Sequence, residues 1–192
     1  MLVGARISGL VLLALLWLSA APTYATGSII VHMGLHLGVI AVVPLLLAPR
    51  LGFAPGPVLL GLAVLAEMLV VWGWHTPAAH LWARLSMGGF VAEQGSFLLT
   101  GLLLWAVANS TGRLGGAVVM LATVMHMTLL GALIGLSPRL LYGDICAGYF
   151  GLGPLEEQQV AGALMAGLGG AIYLGAALWR MAPMLREAEE VL

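Results

Sequence analysis

The chain has 192 residues, of which 61% are hydrophobic and only 8% are charged. Soluble domains carry about a quarter charged residues, and disordered chains combine high charge with low hydrophobicity, so both classes are excluded. The net charge of −1 offers no basic surface to nucleic acid. The composition therefore predicts an all-α integral membrane protein in contact with membrane lipid.

The first 25 residues have the layout of a secretory signal peptide. Arg6 supplies a short positive region, Ile7–Ala20 is apolar over 14 residues, and Thr23 and Ala25 are the small residues expected before a cleavage site. We expect residues 1–25 to be removed as a signal peptide. The alternative is an uncleaved first transmembrane helix.

Five later segments are apolar enough and long enough to cross a membrane as helices, which takes about 20 residues. Residues 26–192 are therefore predicted to form a single polytopic transmembrane bundle of five helices, or six if the N-terminal segment is retained. The predicted spans are Ser28–Leu47, Pro57–Trp74, Gly88–Ala108, Gly116–Ser137 and Gln158–Trp179.

The arginines give this bundle an orientation, because cytoplasmic loops carry an excess of basic residues. Alternation of the spans leaves two arginines outside, Arg84 and Arg139, and five inside, which are Arg6, Arg50, Arg113, Arg180 and Arg186. We expect a multi-pass protein of the cell inner membrane, with Thr26 on the periplasmic side.

On this topology, every histidine lies in the outer half or the centre of the membrane. His32 and His36 are four residues apart and share one helix face. Ionisable side chains inside a membrane usually mark a functional site, and imidazole with thioether suits Cu(I). We predict that His32 and His36 bind copper, that His75 and His126 complete the site, and that Met33 is a soft ligand.

Two glutamates are predicted to support these ligands rather than to bind the ion. Glu67 and Glu93 would accept the second imidazole N–H and so fix its tautomer. The alternative for His75 and His80 is that they are interfacial residues beside an aromatic belt formed by Trp72, Trp74 and Trp82. The single cysteine, Cys146, is interpreted as an unpaired thiol in an outer loop.

Two other functions use the same residues. A small b-type cytochrome would hold haem between two histidines, for which His36 and His126 are the natural axial pair by depth. A copper permease would need polar residues through the cytoplasmic half as well, and the sequence has no such line.

Five elements, in order, resemble motifs of the CtaG family of membrane-bound cytochrome c oxidase assembly factors. The resemblance covers about residues 28 to 180. The matching segments are the H-M-x-x-H element in Val31–His36, the W-H-x-P element in Trp74–Pro77, Glu93–Trp105, His126–Tyr142 and Pro154–Met165.

The chain departs from the family pattern at four positions. Phe90 and Gln94 stand where the family usually has histidines, Glu157 replaces an aspartate and Ala166 a tryptophan. The resemblance implies a role in maturing haem-copper oxidases by handling copper on the outer face. It implies a binding and transfer protein rather than an enzyme, with oxidase subunits and a periplasmic copper donor as partners.

Overall fold

The computed structural model describes residues 2–143 and 149–189, and the described part is helical with no strand. Cys146 lies outside the described residues. The helices are α1 (Leu2–Leu18), α2 (Ala21–Gly27), α3 (Ile29–Leu37), α4 (Val43–Leu47), α5 (Pro57–Trp74), α6 (Pro77–Leu85), α7 (Met87–Ser110), α8 (Arg113–Gly135), α9 (Pro154–Leu164) and α10 (Gly170–Glu189).

Five helical segments can cross a membrane, which confirms the predicted bundle. They are Ile29–Leu47, Pro57–Trp74, Met87–Ser110, Arg113–Gly135 and Pro154–Met184. The last span begins before its predicted start because a Glu156 carboxylate oxygen accepts from the Gly153 N–H at 3.0 Å and so caps the polar first turn.

The N-terminal segment forms two helices, α1 and α2, bent by 52° at a short break. Helix α1 packs on the first span, where Gly9 faces Leu47 and Leu16 covers Gly38. As one bent pair, α1 and α2 would make a sixth span. Removal of residues 1–25 stays a prediction.

The first span widens into a π-helical turn, Gly38–Val42, between α3 and α4. Pro44 has no N–H to donate to the Ile40 carbonyl four residues earlier, and the Val43 N–H reaches back five residues to Gly38. The freed Ile40 carbonyl accepts from the Tyr173 hydroxyl at 3.4 Å. This contact joins the first span to α10.

Helices α8 and α9 cross at glycines, as is common where helices pack within lipid. A Cβ on Gly162 would overlap backbone atoms of Gly131 and Gly135. The close approach brings α8 and α9 together and leaves no room for a side chain at Gly162.

We call one end of the bundle the histidine end; here α3, α7 and α9 begin and α5 and α8 end. Ser28 at the start of α3 hydrogen-bonds Glu157 of α9, and the Tyr142 hydroxyl donates to the His75 carbonyl at 3.1 Å. Five of the seven arginines lie towards the opposite end, where Arg180 donates to the Ala108 carbonyl at 3.0 Å.

Candidate metal site

Helix α3 presents two imidazoles on one face. The Ser28 hydroxyl caps its start by accepting from the Val31 N–H at 3.3 Å, which fixes where the helix begins. His32 and His36 follow one turn apart, fully buried, with ring centroids 6.3 Å apart and ring planes inclined by 14°. The predicted pairing of these two side chains on one helix face is therefore present.

Two further imidazoles reach the same place from the end of α5 and from α6. Pro77 begins α6 soon after α5 has ended, and so the chain returns to the histidine end with His80 buried. The His80 ring lies 4.9 Å from that of His32, and the His75 ring lies 5.1 Å from that of His36. We call His32, His36, His75 and His80 the histidine cluster.

A buried carboxylate completes the arrangement. Ligand atoms of His32, His80 and Glu93 all lie within 4.8 Å of one another. One carboxylate oxygen of Glu93, Oε2, pairs with Arg84 and accepts from Gln94 at 3.1 Å. The other, Oε1, is buried and has no hydrogen-bond partner in the described part of the chain. Glu93 is thus placed among the possible ligands, whereas the sequence predicted a supporting role.

The N-terminal segment reaches this carboxylate through two contacts. Arg84 donates to the Ala25 carbonyl of α2 at 3.3 Å, and the Trp17 indole N–H of α1 approaches the Gln94 side-chain oxygen at 3.4 Å. The polar network around Glu93 therefore joins α1, α2, α6 and α7.

The imidazoles are in the state that a metal requires, since only the neutral ring has a free lone pair. Burial lowers the pKa of His75 to about 4 and that of His80 to about 3. Nδ1 of His75 lies 2.7 Å from the Val71 carbonyl, so it carries the proton and Nε2 is left as the lone pair.

The ring nitrogens of His32 and His36 on α3 are buried without hydrogen-bond partners in the described part of the chain. Among residues 2–143 and 149–189, no hydrogen bond reaches either ring nitrogen of His32 or His36. A buried polar group without a partner costs about 1–3 kcal/mol, so these two rings are costly to bury, and an ion that binds the lone-pair nitrogen of each ring would offset part of that cost. The donor set, imidazole with one carboxylate, fits a borderline transition metal such as copper or zinc.

His126 and Glu67 form a separate pair deeper in the bundle. Nε2 of His126 on α8 lies 2.6 Å from a carboxylate oxygen of Glu67 on α5. Within the described chain, the ring contacts of the histidine cluster join its own four members and aromatic neighbours, not His126. His126, which was predicted to complete the copper site, is thus paired with Glu67, which was predicted to support a ligand. Neither belongs to the histidine cluster.

Met33, the predicted soft ligand, is fully buried and belongs to the apolar core. Its role in binding copper stays a prediction. The ligand set predicted from the sequence did not include His80, for which an interfacial position was the alternative; the structure places it in the histidine cluster. A signal was available, because His80, Ala83 and Arg84 share one face of α6, and that face is buried.

The haem alternative is not favoured by this geometry. A bis-histidine haem needs two rings facing each other across a slot for the macrocycle. The His36 ring instead packs edge-on against Phe97 with ring centroids 4.2 Å apart, and Nε2 of His126 lies 2.6 Å from a Glu67 carboxylate oxygen.

These features define the class: a multi-pass membrane protein whose helices enclose a polyhistidine and carboxylate site at one end. The family model for the cytochrome c oxidase caa3 assembly factor, Caa3_CtaG, matches residues 57–187, more than half of the chain. The chain belongs to this family, and its role lies in cytochrome c oxidase assembly. No curated protein and no solved structure matches the chain.

The family match covers only part of the candidate site. It covers His75, His80 and Glu93, but it begins after the α3 pair. The resemblance of Val31–His36 to a family motif therefore lies outside the matched region. The contribution of α3 to the site depends on the geometry of the structure.

Proposed function

We propose that the protein binds copper in the histidine cluster and passes it to cytochrome c oxidase during assembly. Haem-copper oxidases need copper, and an assembly factor with a buried metal-type site is suited to supply it. The observation that carries the proposal is the clustering of four imidazoles, two of which, His32 and His80, have ligand atoms within 4.8 Å of a Glu93 carboxylate oxygen.

The arrangement suits cargo that must be held and then released. The ion would be bound by His32, His80 and Glu93. His36 and His75 lie next to these ligands and could replace one of them as the ion leaves. Imidazole binds both oxidation states of copper, so release does not require a change of ligand chemistry. We assign no catalytic turnover to the protein; it acts by binding and transfer.

We further propose that the histidine end faces the periplasm. Five arginines lie towards the other end, and arginine-rich ends stay in the cytoplasm. Copper would then come from a periplasmic donor and go to an oxidase subunit in the same inner membrane. An impermeant thiol reagent should label Cys146 in cells whose outer membrane is permeable, and Cys146→Ser should abolish the signal. Labelling only after lysis would reverse the orientation.

Metal analysis of the purified full-length chain tests the copper site. His32→Ala/His36→Ala should lose copper and keep the helical content and membrane insertion, because the apolar spans fold without the ion. The matched control is Glu67→Gln/His126→Gln, which removes the other buried imidazole and carboxylate without leaving a lone charge. The control should keep its copper.

Oxidase activity in cells provides the second readout. The His32→Ala/His36→Ala variant should lower it, and added copper should restore part of it. Full copper content with normal oxidase activity in that variant would refute the assignment. A Soret band that disappears with the same substitutions would support the cytochrome alternative instead.

A further inference from the structure

Arg84 places a permanent positive charge beside the histidine cluster. It follows His80 by four residues on α6, so both side chains lie on the buried face of that helix. The side chains of Arg84 and Glu93 are both fully buried and paired. The guanidinium pairs with the carboxylate that lies within 4.8 Å of ligand atoms of His32 and His80, so it stands next to the histidine cluster.

A buried cation is unexpected in a site for a metal cation, because it repels the ion. Its effect depends on the charge of that ion. Arg84 and Glu93 cancel, so with neutral imidazoles the site has a net charge of zero before any metal enters. A monovalent ion raises that total to one positive charge and a divalent ion raises it to two.

The cost of net charge in a low-dielectric interior rises with the square of the charge. Without Arg84, the negative charge of Glu93 would leave the site with one net positive charge when a divalent ion is bound and with no net charge when a monovalent ion is bound. The guanidinium therefore penalises divalent ions more than monovalent ions.

We propose that Arg84 sets the charge selectivity of the cluster and makes it prefer a monovalent soft ion, Cu(I), over divalent ions such as Zn(II). This inference rests on the proposed function and names the form of copper that the site takes. Arg84 acts through Glu93 and through its own charge, so it is a selectivity residue and not a ligand.

The size of the effect follows from Coulomb's law. For charges about 6 Å apart at an effective dielectric constant of about 20, one unit of charge changes an affinity roughly a hundredfold. Removing the guanidinium should therefore lower the ratio of monovalent to divalent affinity by roughly that factor.

The test measures two probe ions on the full-length chain in detergent, Ag(I) as a redox-inert monovalent ion and Zn(II) as a divalent one. Arg84→Gln should lower the ratio of Ag(I) to Zn(II) affinity roughly a hundredfold relative to the unchanged chain. Arg84→Lys is the matched control, because it keeps the charge and loses only the forked geometry; its ratio should stay within several-fold.

Arg84→Gln leaves Glu93 buried without its partner and can impair folding. A second comparison removes the carboxylate from both members: Glu93→Gln against Arg84→Gln/Glu93→Gln, in which residue 93 is the same and only the guanidinium differs. In the first variant Arg84 keeps the Ala25 carbonyl as an acceptor, and the second variant contains neither charge. The ratio should again fall on removal of Arg84, by a similar factor.

An unchanged ratio in both comparisons, with metals still bound, overturns the inference and leaves the proposed function standing. The same shift in Arg84→Lys as in Arg84→Gln would assign the effect to geometry and also overturn it. An unchanged chain that binds neither probe ion nor Cu(I) overturns the proposed function itself.

Discussion

The site in the structure differs from the one predicted from the sequence in containing His80. His80→Ala removes one of three groups whose ligand atoms lie within 4.8 Å of one another, and leaves His32 and Glu93. Loss of a partner that only supports a ligand already weakens metal binding 10- to 100-fold, so loss of a ligand should cost about a hundredfold or more. That factor corresponds to roughly 2.7 kcal/mol of binding free energy.

The assay is a competition titration of Cu(I) against a coloured chelator without oxygen, on the purified full-length chain. The comparison is Glu67→Gln/His126→Gln, whose affinity should stay within about threefold of the unchanged chain, or roughly 0.7 kcal/mol. If His80→Ala kept its affinity while loss of the His126 imidazole weakened binding, the histidine cluster would not be the copper site.

Three further predictions concern packing, protonation and processing. Gly162→Ala should lower the free energy of unfolding by about 1–3 kcal/mol because its Cβ overlaps backbone, whereas Gly167→Ala, with open space around it, should be neutral; equal Tm values for the two variants would contradict this crossing. In metal-free protein, His75 and His80 have a lowered pKa, so unfolding takes up protons below about pH 6.5. The Tm should therefore fall between about pH 6.5 and pH 4, and less steeply in His75→Gln/His80→Gln; an equal slope in both proteins would refute it. Intact mass should show a chain that begins at Thr26, and a species that keeps α1 would be a six-helix protein.

The spans could be predicted from the sequence because hydropathy alone decides them. A segment such as Pro57–Trp74 has few alternatives in lipid, where every backbone group must bond within its own helix. The π-helical turn at Gly38–Val42 could not be predicted from hydropathy. It depends on Pro44 removing one donor and on Tyr173, far away in sequence, reaching the freed carbonyl.

The site was predictable in part, since depth can be estimated from the sequence and angular position cannot. His32 and His36 share a face by their spacing alone, and the structure confirms that pairing. His126 has a suitable depth for the same site, but its helix turns the ring towards Glu67. Whether a side chain faces one neighbour or another depends on the rotation of each helix, which the packing of the whole bundle determines.

The burial of His80 and Arg84 on the short helix α6 was also not predicted from the sequence. This helix is too short to span the membrane, and its histidine and arginine were natural candidates for residues at the water interface. Pro77 starts this helix soon after α5 ends, and the helix buries both His80 and Arg84. One turn of α6 thus positions both His80, the proposed ligand, and Arg84, whose positive charge would repel the ion.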